Sequence, residues 1–183
     1  MAEVGRSGGK WGNLERIGPH AVPSDRPADV RSAPVHVATE NGFTGEYRHQ
    51  VDDKGRLAIP SKMRARLAGT FHVAQWLDTC LAILPESEWD EIEAKVSALP
   101  MTDPRTRALE RRLFGRAVEA ELDRQGRILL PQNLREVAGL EGEVVVVGLR
   151  NRVEIWSRER WEAQLAVLDD DAAFAGLVSG IGI

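Results

Sequence analysis

The chain contains an internal repeat, and this repeat constrains its fold more than any other feature. The segment Asp52-Asp-Lys-Gly-Arg-Leu-Ala-Ile-Pro60 returns as Asp123-Arg-Gln-Gly-Arg-Ile-Leu-Leu-Pro131, 71 positions later. Further along, Leu81–Trp89 parallels Val153–Trp161 at a spacing of 72. Two copies of one supersecondary unit therefore follow each other in the 183-residue chain.

Each copy predicts the same order of strands and helices. An alternating segment runs into Asp-x-x-Gly-Arg and then into a second apolar run, which predicts a hairpin of two short strands. Asp suits the turn start because its carboxylate accepts a backbone N–H, and Gly suits the position that needs a positive φ. A proline then begins a short helix, in which Arg64 aligns with Arg135. The predicted strands are 47–51, 57–59, 71–76, 81–84, 118–122, 128–130, 143–149 and 153–156.

A longer helix is predicted at the end of each copy, the second beginning near Trp161, and another helix is predicted between the copies. One carries an apolar stripe of Trp89, Ile92, Val96 and Leu99. The next begins at Asp103, a typical N-cap that is followed by proline. Its apolar stripe is formed by Leu109 and Leu113, while five arginines between residues 105 and 116 lie elsewhere on its surface. These arginines fit either a solvated face or a surface that pairs with phosphate or with acids of a neighbouring subunit.

The two ends of the chain differ from its middle. The N-terminal part is rich in Gly, Pro, Ser and Arg and has no periodic pattern, which predicts disorder. The C-terminal 22 residues hold four acids and no base, so the formal net charge of −4 lies there. The predicted segments are a disordered N-terminal extension (1–42), a first repeat with its C-terminal helix (43–100), a linking Arg-rich helix (101–116), a second repeat (117–161), and a helix end with an acidic tail (162–183).

Composition and motifs exclude several classes of protein. No run approaches the roughly 18 apolar residues that span a bilayer. The single cysteine, Cys80, cannot form an intramolecular disulfide, so we expect a reducing compartment, the cytoplasm. The four histidines lack the spacing of metal ligands, no phosphate loop or nucleophile elbow occurs, and Cys80 has no evident base partner. We therefore expect no catalysis, cofactor, metal, small-molecule substrate or membrane partner, and we expect the five tryptophans to be packing residues.

Several segments together resemble the MraZ family, bacterial transcriptional regulators built from two SpoVT-AbrB-type domains. They are Phe43-Thr-Gly-Glu-Tyr, the two Asp-x-x-Gly-Arg segments, Leu99-Pro-Met-Thr-Asp-Pro104 and Val153-Glu-Ile-Trp156, within about residues 43–161. The resemblance implies an α+β, mainly β fold. In that fold two β-α-β repeats interlock as a swapped-hairpin (AbrB-like) barrel with peripheral helices. Family members usually begin with Met-Phe-x-Gly. Here residues 42–45 follow an extension, which is either a flexible arm or the result of a start assigned upstream of the real one.

The resemblance also implies a function. It implies a homo-oligomeric ring, associated with the nucleoid, that binds double-stranded DNA at short direct repeats. These repeats lie upstream of the division and cell-wall gene cluster, the regulator's own gene included. In the family the Asp-x-x-Gly-Arg loops contact DNA. Carried over by position, the candidate DNA-binding residues are Lys54, Arg56, Lys62, Arg64, Arg124 and Arg127, and the loop-shaping residues are Asp52, Gly55, Asp123 and Gly126.

The loop arginines Arg56 and Arg127 have two possible arrangements. An exposed arginine can donate two parallel hydrogen bonds to O6 and N7 of guanine. The same side chain can instead fold back onto the aspartate that begins its own loop. Residues 43–72 carry six basic and three acidic residues, which favours DNA contact at the first loop. The alternative function for the whole chain is a non-catalytic, ring-forming module that docks a protein partner through the Arg105–Arg116 helix.

Overall fold

The computed structural model of this protein describes residues 42–168 and 171–181. The predicted disordered extension lies outside these residues, except for Gly42. The strands are β1 (Phe43–Gln50), β2 (Arg56–Ala58), β3 (Phe71–Gln75), β4 (Leu81–Pro85), β5 (Val118–Ala120), β6 (Arg127–Leu129), β7 (Glu143–Arg150) and β8 (Arg152–Ser157). The α-helices are α1 (Ser61–Arg64), α2 (Glu86–Ser97), α3 (Pro104–Leu113), α4 (Gln132–Ala138), α5 (Arg158–Leu168) and α6 (Asp171–Gly180). All eight predicted strands are confirmed, and β1 begins four residues earlier than predicted.

The strand pairing corrects one prediction. The segments on either side of each Asp-x-x-Gly-Arg turn were expected to pair with each other as a hairpin, but in the described residues the first pair makes only an isolated bridge between Val51, just after β1, and Leu57 of β2. Instead β1 pairs with β7 of the second repeat along its whole length, β2 pairs with β6, and β5 pairs with β3. The reason is length: β2 has three residues and could give the eight-residue β1 only a short ladder.

The strands build one large and one small antiparallel sheet. The six-stranded sheet has the order β1-β7-β8-β4-β3-β5, and the two-stranded sheet is β2-β6. The predicted α+β class is confirmed. In the described part of the chain the large sheet is open, with β1 and β5 as its edges, so its hydrogen bonds do not close a barrel.

The main core is shared by equivalent residues of the two repeats. Leu57 and Ile59 from the first repeat and Ile128 and Leu130 from the second are all 0–1% exposed and belong to one cluster. The short helices α1 and α4 add Met63 and Leu134 to the same cluster. The two repeats therefore contribute jointly to one core. Each stabilises the other, because burial of apolar area contributes about 25 cal/mol per Å².

The other side of the large sheet is covered by helices α2 and α3. Trp89 and Val96 of α2 are buried as predicted, but Leu99 lies beyond the end of the helix and is 42% exposed. Asp103 caps α3 by accepting the N–H of Arg105, which confirms the predicted helix start. The predicted stripe of α3 is wrong at Leu109, which is exposed. The contact runs instead along the face that carries Thr106 and Leu113, two turns apart.

The remaining tryptophans and Cys80 also serve packing where the chain is described. Trp156 is buried in a third cluster with Cys80, and the half-buried Trp76 and Trp161 pack against it. The thiol of Cys80 contacts the carbonyl of Leu77 at 3.3 Å, and burial raises the pKa of the Cys80 thiol. A thiol with a raised pKa is a poor nucleophile at neutral pH.

The C-terminal segment is more helical than predicted. Helix α5 runs to Leu168, and α6 occupies Asp171–Gly180, where the sequence suggests only a solvated acidic tail. Its first residue is acidic and its sequence is rich in alanine, both of which favour a helix. No helix in the described ranges is long and apolar enough to cross a membrane.

Candidate nucleic-acid interface

The first loop, residues 52–56, is closed by the side chain of Asp52. One carboxylate oxygen, Oδ1, accepts the backbone N–H groups of Lys54 at 3.0 Å and Arg56 at 2.8 Å. The backbone of Asp52 also donates to the carbonyl of Arg56 and accepts from the N–H of Gly55, both at 2.9 Å. Four hydrogen bonds on one residue therefore hold five residues in a single conformation.

The second loop, residues 123–127, has the same hydrogen bonds. Asp123 Oδ1 accepts from the N–H groups of Gln125 at 2.8 Å and Arg127 at 2.9 Å. The backbone of Asp123 donates to the carbonyl of Arg127 at 2.8 Å and accepts from the N–H of Gly126 at 2.9 Å. The sequence repeat is thus also a repeat of loop geometry.

Both loops need glycine at their fourth position. The φ angles of Gly55 and Gly126 are 77° and 74°, in the region that side chains disfavour. Both glycines are also buried, although each lies in an exposed loop. A side chain at either position would therefore strain the backbone and would clash with a neighbouring group.

The loop arginines Arg56 and Arg127 fold back onto the aspartates of their own loops. Arg56 Nε lies 2.7 Å from Asp52 Oδ2, and Arg127 places Nε at 2.8 Å and Nη2 at 2.7 Å from Asp123 Oδ2. Their side chains keep exposed fractions of 32% and 25%. The structure therefore adopts the second of the two arrangements considered for these arginines, in which their charge is paired inside the loop.

The other candidate cations of the loops point to solvent. Lys54 in the first loop and Arg124 in the second are exposed. They are not strict equivalents, because the repeat aligns Lys54 with Gln125, the residue after Arg124. Lys62 is exposed on α1, beside the first loop in sequence.

The β2–β6 ladder brings the two loops together. The N–H of Ile59 donates to the carbonyl of Gly126 at 2.9 Å, and the N–H of Leu130 donates to the carbonyl of Gly55 at 2.8 Å. Each loop is thus fastened to the strand that follows the other loop. Arg56 and Arg127, 71 positions apart in the sequence, therefore lie on the same face of one short ladder.

Two further arginines lie beside the loops, and only Arg64 is among the residues that the family resemblance indicates. Arg64 Nε donates to the carbonyl of Ile59 at 2.7 Å, and its guanidinium lies against Gly126 of the other repeat. Arg135 Nε donates to the carbonyl of Leu130 at 3.1 Å and lies against Gly55. The signal for Arg135 was available, because the internal repeat aligns it with Arg64.

The titration behaviour of the site follows from these contacts. The backbone N–H of Arg56 is the largest cause that holds the pKa of Asp52 below its usual value; burial opposes it, and the guanidinium of Arg56 lowers the pKa further. The guanidinium of Arg127, followed by its backbone N–H, lowers the pKa of Asp123 to about 2. Burial, and then the charge of Arg64, lowers the pKa of the neighbouring His49 below 6.5. Both aspartates are therefore ionised at neutral pH, and His49 is neutral.

The arginines of α3, proposed as an alternative docking surface, are mostly engaged within the chain. Arg105 pairs with Asp103 at 2.9 Å, and Arg107 donates to the carbonyls of Met101 and Thr102. A shallow cleft beside α3 is lined by Gln75, Ala108, Arg111, Arg112 and Arg116. In the described ranges, no group of three or more His, Cys, Asp or Glu side chains is placed to hold a metal ion.

A family model and individual relatives both show which family this chain is similar to. The family model for the MraZ protein matches the chain twice, at residues 43–112 and 113–176. A transcriptional regulator MraZ from Moorella thermoacetica is 56% identical over 120 residues, which cover 66% of this chain and 84% of the relative. The transcriptional regulator MraZ of Desulforamulus reducens is 48% identical over 139 residues, covering 76% of this chain and 96% of the relative.

Proposed function

This chain belongs to the MraZ family of transcriptional regulators, and we propose that it acts by sequence-specific binding to double-stranded DNA through its two Asp-x-x-Gly-Arg loops. It is a regulator and not an enzyme. We further propose that its targets are short direct repeats upstream of the division and cell-wall gene cluster, including its own gene. The protein then works in the cytoplasm, at the nucleoid.

The observation that carries the proposal is the pairing of the two loops on one surface. The β2–β6 ladder holds two loops of the same geometry at its two ends, with Arg56 and Arg127 on the same face, and the adjoining cations reach solvent. Protein–DNA affinity grows with the number of phosphates that cations neutralise, and two adjacent loops provide more cations than one. Lys54 and Arg124 suit phosphate contact because they are exposed.

The paired loop arginines suit contact with bases. Asp52 and Asp123 hold the guanidinium groups of Arg56 and Arg127 in one orientation. An arginine that is already oriented loses less conformational entropy when it binds a base edge. Guanine accepts two hydrogen bonds from one guanidinium in the major groove, each good pair being worth about 1–3 kcal/mol of discrimination.

A ring of subunits would supply the affinity that a single chain lacks. The two loops of one chain carry few free cations, so one chain alone would bind weakly. Several chains in a ring would present their loops together and raise the effective concentration of each. Cyclic symmetry repeats one face head to tail, which matches direct repeats in DNA.

The proposed domain organisation follows the internal repeat. We propose a first SpoVT-AbrB-like unit at 43–100 and a second at 117–161, joined by the segment 101–116. The strand pairs β1–β7, β2–β6 and β3–β5, all between repeats, support an interlocked, pseudo-twofold arrangement of these units.

The test is a fluorescence titration of DNA from upstream of the protein's own gene against a scrambled duplex near physiological salt. We expect wild type to prefer the native duplex at least tenfold, about 1.4 kcal/mol. Arg56→Ala should erase this preference, and Lys54→Ala should weaken binding to both duplexes and reduce the salt slope by about one. Lys95→Ala is the matched control, because Lys95 pairs with Glu91 on α2 and is outside the loops.

The outcomes separate the proposed function from its alternative. Equal binding of both duplexes by wild type, or no binding at all, would rule out sequence-specific regulation through DNA. In that case the cleft beside α3, lined by Arg111, Arg112 and Arg116, becomes the surface to test for a protein partner. Sedimentation of the wild-type chain would test the ring, and a monomer at micromolar concentration would exclude it.

A further inference from the structure

We propose that the DNA-contacting surface consists of two composite units, each made from the loop of one repeat and an arginine of the other. The first composite unit is the loop 52–56 with Arg135, and the second is the loop 123–127 with Arg64. This inference rests on the proposed function. It adds Arg135 to the contact residues, and it assigns each helix arginine to the loop of the opposite repeat.

The first composite unit is defined by contacts around Gly55. A Cβ atom built on Gly55 would lie 3.0 Å from both Arg135 Nε and the carbonyl oxygen of Leu130. The same carbonyl accepts the hydrogen bond from Arg135 Nε, and the N–H of Leu130 donates to the carbonyl of Gly55. One residue of the second repeat, Leu130, therefore positions both the loop of the first repeat and the arginine beside it.

The second composite unit mirrors the first. A Cβ atom on Gly126 would collide with the guanidinium of Arg64, which donates from Nε to the carbonyl of Ile59. The N–H of Ile59 donates to the carbonyl of Gly126. The arrangement occurs twice, at positions 71 apart, so it is a property of the interlocked repeats rather than of one local contact.

Charge distinguishes these two arginines from those of the loops. Arg56 and Arg127 are each paired with a carboxylate. Arg64 and Arg135 bond through Nε to neutral carbonyls, and within residues 42–168 and 171–181 neither belongs to an ion pair. A guanidinium has five N–H donors, so four remain on Nη1 and Nη2 of each for an anionic partner. A phosphate of the DNA backbone fits this requirement.

The experiment is a set of double-mutant cycles on full-length protein with the native duplex. We expect Arg135→Gln to weaken binding at least fivefold, and its effect to be non-additive with Lys54→Ala by threefold or more. It should be additive with Arg124→Ala, because Arg124 belongs to the other composite unit. The crossed pattern should recur for Arg64→Gln, which should couple to Arg124→Ala and not to Lys54→Ala.

Two further readouts separate DNA contact from a purely structural role. Arg135→Gln should lower the slope of log affinity against log salt by about one, and Arg135→Lys, which keeps the charge, should restore the slope. A variant that merely deforms the loop would not be rescued by lysine, since lysine cannot reproduce the Nε bond to Leu130. Thermal unfolding by circular dichroism should give the same midpoint for these variants as for wild type, within a few degrees.

Several results would overturn the inference while leaving the proposed function standing. One is coupling of Arg135 to Arg124 instead of Lys54, and another is full additivity in all four cycles. The third is that neither Arg135→Gln nor Arg64→Gln changes binding, although wild type prefers the native duplex. Failure of wild type itself to prefer that duplex would count against the proposed function.

Discussion

At the scale of single residues, one aspartate organises each loop. Asp52 and Asp123 accept two backbone N–H groups through one oxygen and a guanidinium through the other. Turn formation and arginine orientation therefore depend on the same carboxylate. This explains why Asp and Arg recur together in both copies, with a glycine between them.

The shifted pKa of Asp123 makes the second loop sensitive to acid. Its folded-state pKa of about 2 lies below the ordinary value of 3.8, so the ionised form is favoured by folding. The stabilisation is complete above about pH 4 and is lost as the pH falls through about 2. A carboxyl-carbon NMR titration should show this midpoint. Arg127→Ala should move it up toward the ordinary value, because the guanidinium is the largest cause of the shift.

Replacing the carboxylate provides the control for this titration. Asp123→Asn removes the titrating group, so the thermal stability of this variant should depend less on pH between 4 and 2 than that of wild type. A wild-type midpoint near 3.8, or one that Arg127→Ala leaves unchanged, would contradict the assigned contact.

At the scale of elements, the three-residue strands β2 and β6 are short but decisive. Their central residues, Leu57 and Ile128, face each other and are buried in the main core, while the residues on either side face outward. The outward positions carry Arg56 and Arg127. One short ladder thus contributes to the core with one face and to the candidate interface with the other.

Neighbouring substitutions in β6 should separate these two faces. Ile128→Ala should lower the free energy of unfolding by about 2–5 kcal/mol, because it leaves a cavity in a packed core. Leu129→Ala should change it by no more than about 0.5 kcal/mol, because Leu129 is 60% exposed. Urea unfolding followed by circular dichroism would measure both. Equal losses for the two variants would mean that the faces are assigned wrongly.

At the scale of the whole molecule, the repeats depend on each other. In the strand pairs β1–β7, β2–β6 and β3–β5, one strand belongs to the first repeat and the other to the second. The main core likewise draws on both. Neither repeat can satisfy its strand edges or bury its apolar residues alone, so the chain should unfold as one cooperative unit.

Cutting the chain between the repeats tests this dependence. A fragment of residues 42–103 lacks the partners of β1, β2 and the outer side of β3, and we expect it to be unfolded. A fragment of residues 104–168 should be unfolded for the same reason, and mixing the two should restore the far-ultraviolet circular dichroism spectrum of an uncut 42–168 fragment. Cooperative thermal unfolding by either fragment alone would refute the expected dependence.

The local features of this protein were determined by its sequence. The Asp-x-x-Gly-Arg turns, the proline helix starts and the Asp103 cap all depend on partners within a few residues along the chain, and the positions of the eight strands follow the local pattern of apolar residues. Turn and cap rules act over that range, so these features could be predicted. The duplication itself, and through it the match of Arg64 to Arg135, was also visible in the sequence alone.

The partners of those features were decided only by the tertiary structure. Nothing local indicates that β1 pairs with β7, that Arg135 lies against Gly55, or that Leu109 is exposed while Thr106 is buried. The choice of partner depends on competition between surfaces that are distant in sequence, since a strand pairs where it gains the longest ladder and the most buried area. Local rules therefore determined the two copies, and long-range packing determined how the copies combine.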